Sequence, residues 1–543
     1  MSFFGFISYE ANGTRYLTSD LSFDLVYWAF RGIETIEQVG GPASLASIVG
    51  GAADLIELQG RVDQEQGQRR IHSVTLHYDR YQTAILLAAR IPKGRVLLAE
   101  ELRQIIRHPQ WLDGIQYLYL QGKANLSPGI DLVSGRCQRC GQGDIVPTAC
   151  ATCGGPCAYC RCCLQMGRSK VCAPLYYIAA EEERVQFSAS DRQELVRERQ
   201  ARLQWSGTLT AAQQAASEQA IDLIKGVGQQ LLVWAVCGAG KTEVVFGPIE
   251  AAARQGQKIL LVTPRKDVVL ELTPRLKQAF PNLSISSVHG ASKEKWVDAE
   301  LTLSTTHQAL RFYKKFDLVI LDEVDAFPYH QDPMLYFAVE RAKKPTGNLI
   351  YLSATPPDYL RSIPQVRIPA RYHRKPLAVP HFYFYKMRGE RVPPIFKQLL
   401  DYLIMEERQA FVFVPYIELV GKLVNQLINL KKELNIAGTH SRDPLRAEKV
   451  TAFRKGEIRV LVTTTIMERG VTVPRTDVIV FQADAPIFDE ASLVQISGRT
   501  GRSFDDPIGR VVFIAREKTR EMVKARKHIK KMNKLARKRG LLD

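Results

Sequence analysis

The sequence predicts an α/β protein: two doubly wound parallel-sheet domains in tandem, behind an N-terminal α+β domain and a cysteine module. Three observations carry that expectation. A strand, a glycine loop and a helix follow one another over residues 231–256. Short apolar runs alternate with helical segments twice over, once on each side of residue 375. Nine of the ten cysteines fall between Cys137 and Cys172.

Residues 1–130 carry no motif that names a chemistry. Residues 4–18 read as a β-hairpin turning at Asn12-Gly13, and residues 97–106 as a helix. A docking role and a scaffold role fit this domain equally. The cysteine module occupies 131–173. The Glu/Arg/Gln-rich stretch within 174–205 reads as a linker helix, since it holds few breakers. The first α/β domain is placed at 206–375, with strands at 231–234, 258–262, 318–321 and 349–352. Each is the short continuous apolar run that a sheet covered on both faces needs. The second is placed at 376–515, with strands at 411–414, 459–462, 478–481 and 511–514. A basic helix over 516–543 closes the chain, striped by Val523, Ile529, Met532 and Ala536.

A formal net charge of +18 favours an anionic partner, nucleic acid first and an anionic membrane surface second. No apolar run approaches the ~20 residues that a spanning helix needs. Met1-Ser2-Phe3-Phe4-Gly5 lacks the basic start of a signal peptide. The expected place is the cytoplasm, with peripheral attachment at the inner face of the cytoplasmic membrane as a variant. Cysteine clustering in such a chain points to metal rather than to a disulfide framework.

The glycine loop is Ala235-Val236-Cys237-Gly238-Ala239-Gly240-Lys241-Thr242. Its glycines let backbone N–H groups turn around phosphate oxygens at a helix N-terminus. Lys241 would reach the β/γ-phosphates of ATP and the Thr242 hydroxyl would help hold Mg²⁺. Ala235 stands where the general pattern has its first glycine. Leu321-Asp322-Glu323-Val324-Asp325 ends a buried strand with acids, the place a ligand crevice occupies in an open α/β sheet. Asp322 would hold Mg²⁺ and Glu323 would orient or deprotonate the attacking water. Ser353-Ala354-Thr355 ends the next strand and can bridge the acidic motif to the neighbouring domain. In the second domain, Gln495-Ile496-Ser497-Gly498-Arg499-Thr500-Gly501-Arg502 places two arginines three apart, read as one helical turn. Arg499 and Arg502 are candidates for stabilising charge on a transferring phosphoryl group.

Together these motifs resemble the superfamily 2 helicase or translocase core, built of two RecA-like domains, over roughly 206–515. Thr210 and Gln213 resemble its adenine-recognition element. Thr263-Pro264-Arg265 resembles a first strand-contacting motif, Thr305-Thr306-His307 lies in a second, and Thr464-Thr465 in a third. Such motifs grip phosphates without reading sequence. Cys137-Gln138-Arg139-Cys140-Gly141, residues 158–168, His440-Ser441-Arg442-Asp443 and residues 463–472 are similar to the late-competence ComFA family. That resemblance implies an ATP-driven motor drawing transforming single-stranded DNA into the cytoplasm. It implies partnership with a membrane DNA channel of the ComEC type and other competence proteins, and leaves oligomerisation open. The core is also similar to the primosomal helicase PriA, so a replication-restart helicase is the rival enzyme. Many helicases carry an acid two residues after the glycine matching Gly470, and Thr472 stands there instead, which weakens a reading as an ordinary duplex unwinder. A non-hydrolysing, zinc-containing nucleic-acid scaffold is the rival from another class.

Cys137-x₂-Cys140 and Cys160-x₂-Cys163 are separated by 19 residues, inside the roughly 15–20-residue interval of zinc sites. Four thiolates would close a tetrahedral structural Zn²⁺ site. Cys150-x₂-Cys153 and Cys157-x₂-Cys160 compete on spacing, and the resemblance favours the outer pairs. A second zinc drawing on Cys150, Cys153 and two of Cys157, Cys162 and Cys172 stays open. Arg136, Arg139, Arg161, Arg168 and Lys170 surround the knuckles and would suit a phosphate backbone. The basic residues of 524–539 suit DNA, anionic lipid or a solvated helix face.

Overall fold

A computed structural model describes residues 6–11, 14–18, 24, 35–43, 69–72, 78–151, 155–180, 203–226, 228–325, 332–385, 392–465 and 473–543. β1 (Phe6–Ala11) and β2 (Thr14–Thr18) pair antiparallel with Ala11 opposite Thr14, which is the expected hairpin. Its turn residues, Asn12 and Gly13, lie outside the described residues. β3 (Thr35–Ala43) and β4 (Arg69–His72) complete a sheet of order β2-β1-β3-β4.

A second small layer follows: α1 (Tyr78–Ala89), β5 (Arg95–Leu98), α2 (Ala99–Ile106), α3 (Trp111–Leu120) and β6 (Ala124–Pro128). The helix expected over 97–106 starts two residues late. Leu97 and Leu98 end β5, and Glu101 Oε2 accepts the Leu98 N–H at 3.0 Å, fixing where the helix begins. The cysteine segment is an excursion from this layer. It holds β7 (Ile130–Asp131), β8 (Arg136–Cys137) and the hairpin β9 (Ile145–Cys150) and β10 (Gly155–Cys160). The chain then returns as β11 (Pro174–Ile178), central between β5 and β6. The linker helix expected over 174–205 is corrected at its start. Leu175, Tyr176 and Ile178 are buried in a strand, and 181–202 lie outside the described residues.

The larger sheets follow in order: α4 (Ala211–Ile224), β12 (Gln230–Ala235), α5 (Lys241–Val244), α6 (Phe246–Arg254), β13 (Ile259–Thr263), α7 (Lys266–Ala279), β14 (Ile285–Val288), β15 (Leu301–Thr305), β16 (Phe316–Asp322), α8 (Pro333–Ala342), β17 (Lys343–Ser353) and β18 (Gln365–Ile368). Seven of their strands form a sheet of order β14-β15-β13-β16-β17-β12-β18. Then come β19 (His381–Phe384), α9 (Ile395–Met405), β20 (Gln409–Phe413), α10 (Ile417–Leu430), β21 (Ile436–Thr439), α11 (Arg446–Arg454), β22 (Val460–Thr463), β23 (Thr476–Phe481), α12 (Glu490–Ser497), β24 (Val511–Ala515) and α13 (Arg520–Lys538). Six strands form the parallel sheet β19-β24-β23-β20-β22-β21. These are two RecA-like domains, and every apolar run read as a strand is one.

The chain divides into two compact units. One comprises 1–201, 252–319 and 327–348, the other 202–251, 320–326 and 349–543. In the second unit, α13 is part of a core. Met522, Ala525, Ile529, Met532 and Ala536 are its buried stripe, so Met522 and Ala525 take the place expected for Val523. Asn533 exchanges two 2.9 Å hydrogen bonds with the backbone of Leu377. Among the described residues no helix is long and apolar enough to cross a membrane.

Candidate nucleotide site and cysteine centre

β12 delivers the glycine loop from a fully buried strand end. Ala235 ends that strand and is outside the left-handed region, so a methyl is tolerated where glycine is usual. Gly238 and Gly240 do adopt left-handed backbone, φ +78° and +71°. A Cβ on Gly240 would sit 2.5 Å from Gln213 Nε2. Gln213 is held from both sides. Its Oε1 accepts the Thr210 N–H at 2.8 Å and its Nε2 donates to Ala239 O at 2.8 Å. Thr210 and Gln213 therefore form a capping box on α4 that also braces the loop. Val236 N–H and Ala239 N–H close the turn on Ile368 O and Val236 O. Lys241 and Thr242 open α5 and are part-exposed. The helix read from the sequence is broken once, at Val245, between α5 and α6.

Asp322 ends β16, and Glu323 takes φ 56°, a strained conformation for a residue with a side chain. Asp325 gathers the rest of the motif. It accepts from Ser353 Oγ at 2.6 Å, Thr355 Oγ1 at 2.7 Å and Gln495 Nε2 at 2.9 Å. Ser353 and Thr355 hold the acidic motif, whereas the bond to the six-stranded domain is made by Asp325 itself, through Gln495. The other end of Gln495 receives the Cys237 thiol, 3.0 Å from Sγ to Oε1. One amide from α12 so touches both the acidic motif and the glycine loop. The fit is tight: a Cβ on Gly498 would overlap Cys237 Cβ.

Arg371 is the residue that motif reading missed. It follows β18, is 2% exposed, and donates from Nε to Cys237 O at 2.9 Å. Its Nη1 donates to Thr500 O at 2.7 Å and to Gly501 O, and Nη2 to Gly498 O at 3.1 Å. Burial, with Arg502 nearby, pulls its pKa down to about 10. The guanidinium fork stitches the glycine loop to the arginine loop. No spacing marks it. Asp325 and Gln495 stand inside motifs quoted from the sequence but are given no role there; their place in those motifs is the signal that could have found them.

Arg499 and Arg502 are not on a helical turn. α12 stops at Ser497, Gly498 caps it, and Gly501 turns through φ 61°. Arg499 is 2% exposed, and Arg502 is part-buried with Nε donating to Gly498 O at 2.7 Å. Arg502 Cγ would be 3.6 Å from a Cβ on Gly238, so this arginine lies against the glycine loop.

The strand-contacting candidates end strands. Thr263 and Thr305 are register partners at the ends of β13 and β15. Their side chains and that of Thr306 are buried, whereas Pro264, Arg265 and His307 are part-exposed. Burial holds the His307 imidazole below its ordinary value. Thr464 and Thr465 follow β22, the first buried and the second part-exposed, and 466–472 lie outside the described residues.

Cys137, Cys140, Cys160 and Cys163 are all buried, their sulfurs within 4.8 Å of one another. Cys137–Cys163 is 3.8 Å and Cys140–Cys160 3.5 Å. Tetrahedral Zn–S bonds of about 2.3 Å set sulfurs about 3.8 Å apart, so the donor set fits zinc. Contact among the thiols pulls Cys137 down and pushes Cys140 up. The knuckle arginine is not available to phosphate. Arg139 is fully buried, paired with Glu101 at 2.8 Å and bonded to Met166 O at 2.6 Å. Glu101 Oε1 also takes Arg311 at 2.7 Å, four residues beyond His307. Arg341 Nη1 and Tyr177 Oη both donate to Gln138 O at 3.0 Å.

Two RecA-like sheets with a glycine loop, an acidic strand end and an arginine loop define a helicase-type ATPase of superfamily 2. Family models agree along the chain. Competence protein ComFA N-terminal domain matches 87–177, Type III restriction enzyme, res subunit, matches 206–358, and Helicase conserved C-terminal domain matches 394–504. Competence protein ComFA of Bacillus subtilis (strain 168) is 43% identical over 415 residues, 74% of this chain and 86% of that one. The protein of the same name from Streptococcus pneumoniae (strain R6) is 37% identical over 395 residues, 70% and 86%. The chain belongs to the ComFA family. Among solved structures, S. cerevisiae Dbp5 bound to RNA and ADP BeF3 is similar at TM-score 0.44 and 18% identity, over 58% of this chain and 86% of that one. The helicase domains imply ATP and Mg²⁺, and Thr242 and Asp322 carry hard oxygen atoms of the kind Mg²⁺ takes.

Proposed function

We propose that the chain is an ATP-driven single-stranded DNA translocase that draws transforming DNA across the cytoplasmic membrane during competence. ATP binds on Lys241 and Thr242 with Mg²⁺ at Asp322, Glu323 directs the attacking water, and Arg499 and Arg502 stabilise the transferring phosphoryl group. The observation that carries the reading is Gln495, bonded at once to Asp325 and Cys237. A phosphate entering or leaving the loop shifts that amide, and with it α12 and the sheet behind it. Thr263, Pro264, Arg265, Thr305, Thr306 and His307 form one set of strand contacts and Thr464 and Thr465 another, and alternation between them ratchets the strand. Zn²⁺ on Cys137, Cys140, Cys160 and Cys163 holds the N-terminal module. The motor works at the inner membrane face beside a DNA channel of the ComEC type.

The test is ATP hydrolysis with single-stranded DNA, duplex DNA and RNA, beside displacement of streptavidin from a biotinylated single strand. Stimulation by single-stranded DNA with streptavidin displaced is the expected result. Efficient strand separation on forked DNA moves the reading to a replication-restart helicase. No nucleotide consumed on any polymer reduces the protein to a binding scaffold.

A further inference from the structure

The four-cysteine centre leaves five of the nine clustered thiols unexplained. Strand register sorts them. In the hairpin, Cys150 is opposite Gly155 and Cys157 is opposite Thr148. Opposed residues share a face, as do residues two apart on one strand. Cys150 and Cys157 are therefore diagonal neighbours on one face. The segment after the second knuckle runs back beside β10. Tyr159 bridges Lys170, and the Val171 N–H donates to Ala158 O at 3.0 Å. One further step along that antiparallel register sets Cys172 opposite Cys157. The sulfurs of Cys150, Cys157 and Cys172 lie within 4.8 Å of one another, with Cys150–Cys172 at 3.8 Å.

Cys160, three positions on from Cys157, faces the other side of β10 and belongs to the first centre. The alternative pairing Cys157-x₂-Cys160 is thereby excluded for a single ion. Cys162 is exposed, its thiol 4.0 Å from Asp144 Oδ2, and is in neither set.

We propose that Cys150, Cys157 and Cys172 form a second metal site, for a thiophilic divalent ion of the zinc class, with the fourth position taken by water or one more donor. Soft thiolates select such ions, and their spacing matches a tetrahedral edge. The placement has a structural purpose. Pro147, Thr148 and Ala149 of β9 are exposed, so the hairpin has little apolar area to bury. A small excursion without a core needs a staple. The second ion fixes the far end of the hairpin to the segment entering β11, as the first fixes its base.

The full-length chain, purified under reducing conditions without chelator, is assayed for zinc by elemental mass spectrometry. About two equivalents per chain are expected in the wild type and about one in Cys157→Ser, Cys172→Ser or Cys163→Ser, a structural site being closed by its full thiolate set. Cys162→Ser keeps both. Release by a mercurial from the wild type, expected in two steps, gives the same count without relying on a variant that folds poorly. A wild type with a single equivalent, unchanged in Cys172→Ser, overturns the proposal. So does a Cys150–Cys172 disulfide found by non-reducing peptide mapping of chain isolated without reductant and alkylated at lysis.

Discussion

Cys137 meets Cys163 across 26 residues of chain, whereas Cys237 meets Gln495 across 258. The cysteine centre is closed by short-range spacing and by ligands that one ion can organise. The nucleotide site is closed by hydrogen bonds between segments of two sheets that lie far apart in sequence. The first can be written into a sequence as a repeat of one residue type. The second depends on backbone carbonyls, at Cys237, Gly498, Thr500 and Gly501, whose position no residue type encodes. A centre of the first kind resists change.

The sharpest way to break this contrast is to disable one region and look for damage in the other. Lys241→Ala or Asp322→Ala is expected to lower DNA-stimulated ATP hydrolysis by about 10²–10³-fold or more, with zinc content unchanged. Retained turnover in a coupled ATPase assay discards the site assignment. On the cysteine side, Glu101→Gln keeps its shape but leaves Arg139 and Arg311 buried without their counter-charge. A loss of about 3–5 kcal/mol is expected, read as an earlier urea transition and easier zinc release. Unaltered release would separate the four-cysteine centre from this buried triad.

Smaller effects refine the comparison. Arg371→Met takes the guanidinium from Cys237 O and Thr500 O, while Gly498 O keeps Arg502, and is expected to cost about 2 kcal/mol, with a larger fall in kcat than rise in KM for ATP. Arg371→Lys does not restore it, because an ammonium cannot reproduce the fork. Full rescue by lysine would show that charge alone matters there. The smallest effect lies at α12 and α13, where His528 Nδ1 is 3.0 Å from Glu490 Oε1 and that contact holds Glu490 below its ordinary value of 4.5. A carboxylate with a depressed folded pKa stabilises fully above its unfolded value and loses this as pH falls through the folded one. Under about 1 kcal/mol is at stake. Thermal melts of wild type and Glu490→Gln should differ near neutrality and converge below pH 4.5; a constant gap would assign the difference to packing.

Much of the fold was legible because central strands of parallel sheets are apolar on both faces. The strands the reading passed over include both ends of both sheets. β14, β18, β19 and β21 are four residues each, and sequences such as Ile285-Ser286-Ser287-Val288 lack the apolar run that burial demands. The cysteine pairs were legible from spacing. Which spare thiols share a face was not, since that follows from a returning segment at 169–172 that makes a single bridge to β10 and has no apolar signature. The glycine loop and the acidic motif were legible because phosphate and magnesium demand particular atoms. Arg371 was hidden because its partners are main-chain oxygens. The arginine loop was misread as helix because Gly498, which ends α12, was not weighted as a cap.

The overlap that a Cβ at position 498 would make with Cys237 imposes a rule of exchange on anyone redesigning the protein. Volume can be added on one side of that seam only if it is removed from the other. Cys237→Gly would open room for alanine at 498, whereas alanine at 498 alone would act as a wedge, forcing the glycine loop and the end of α12 apart.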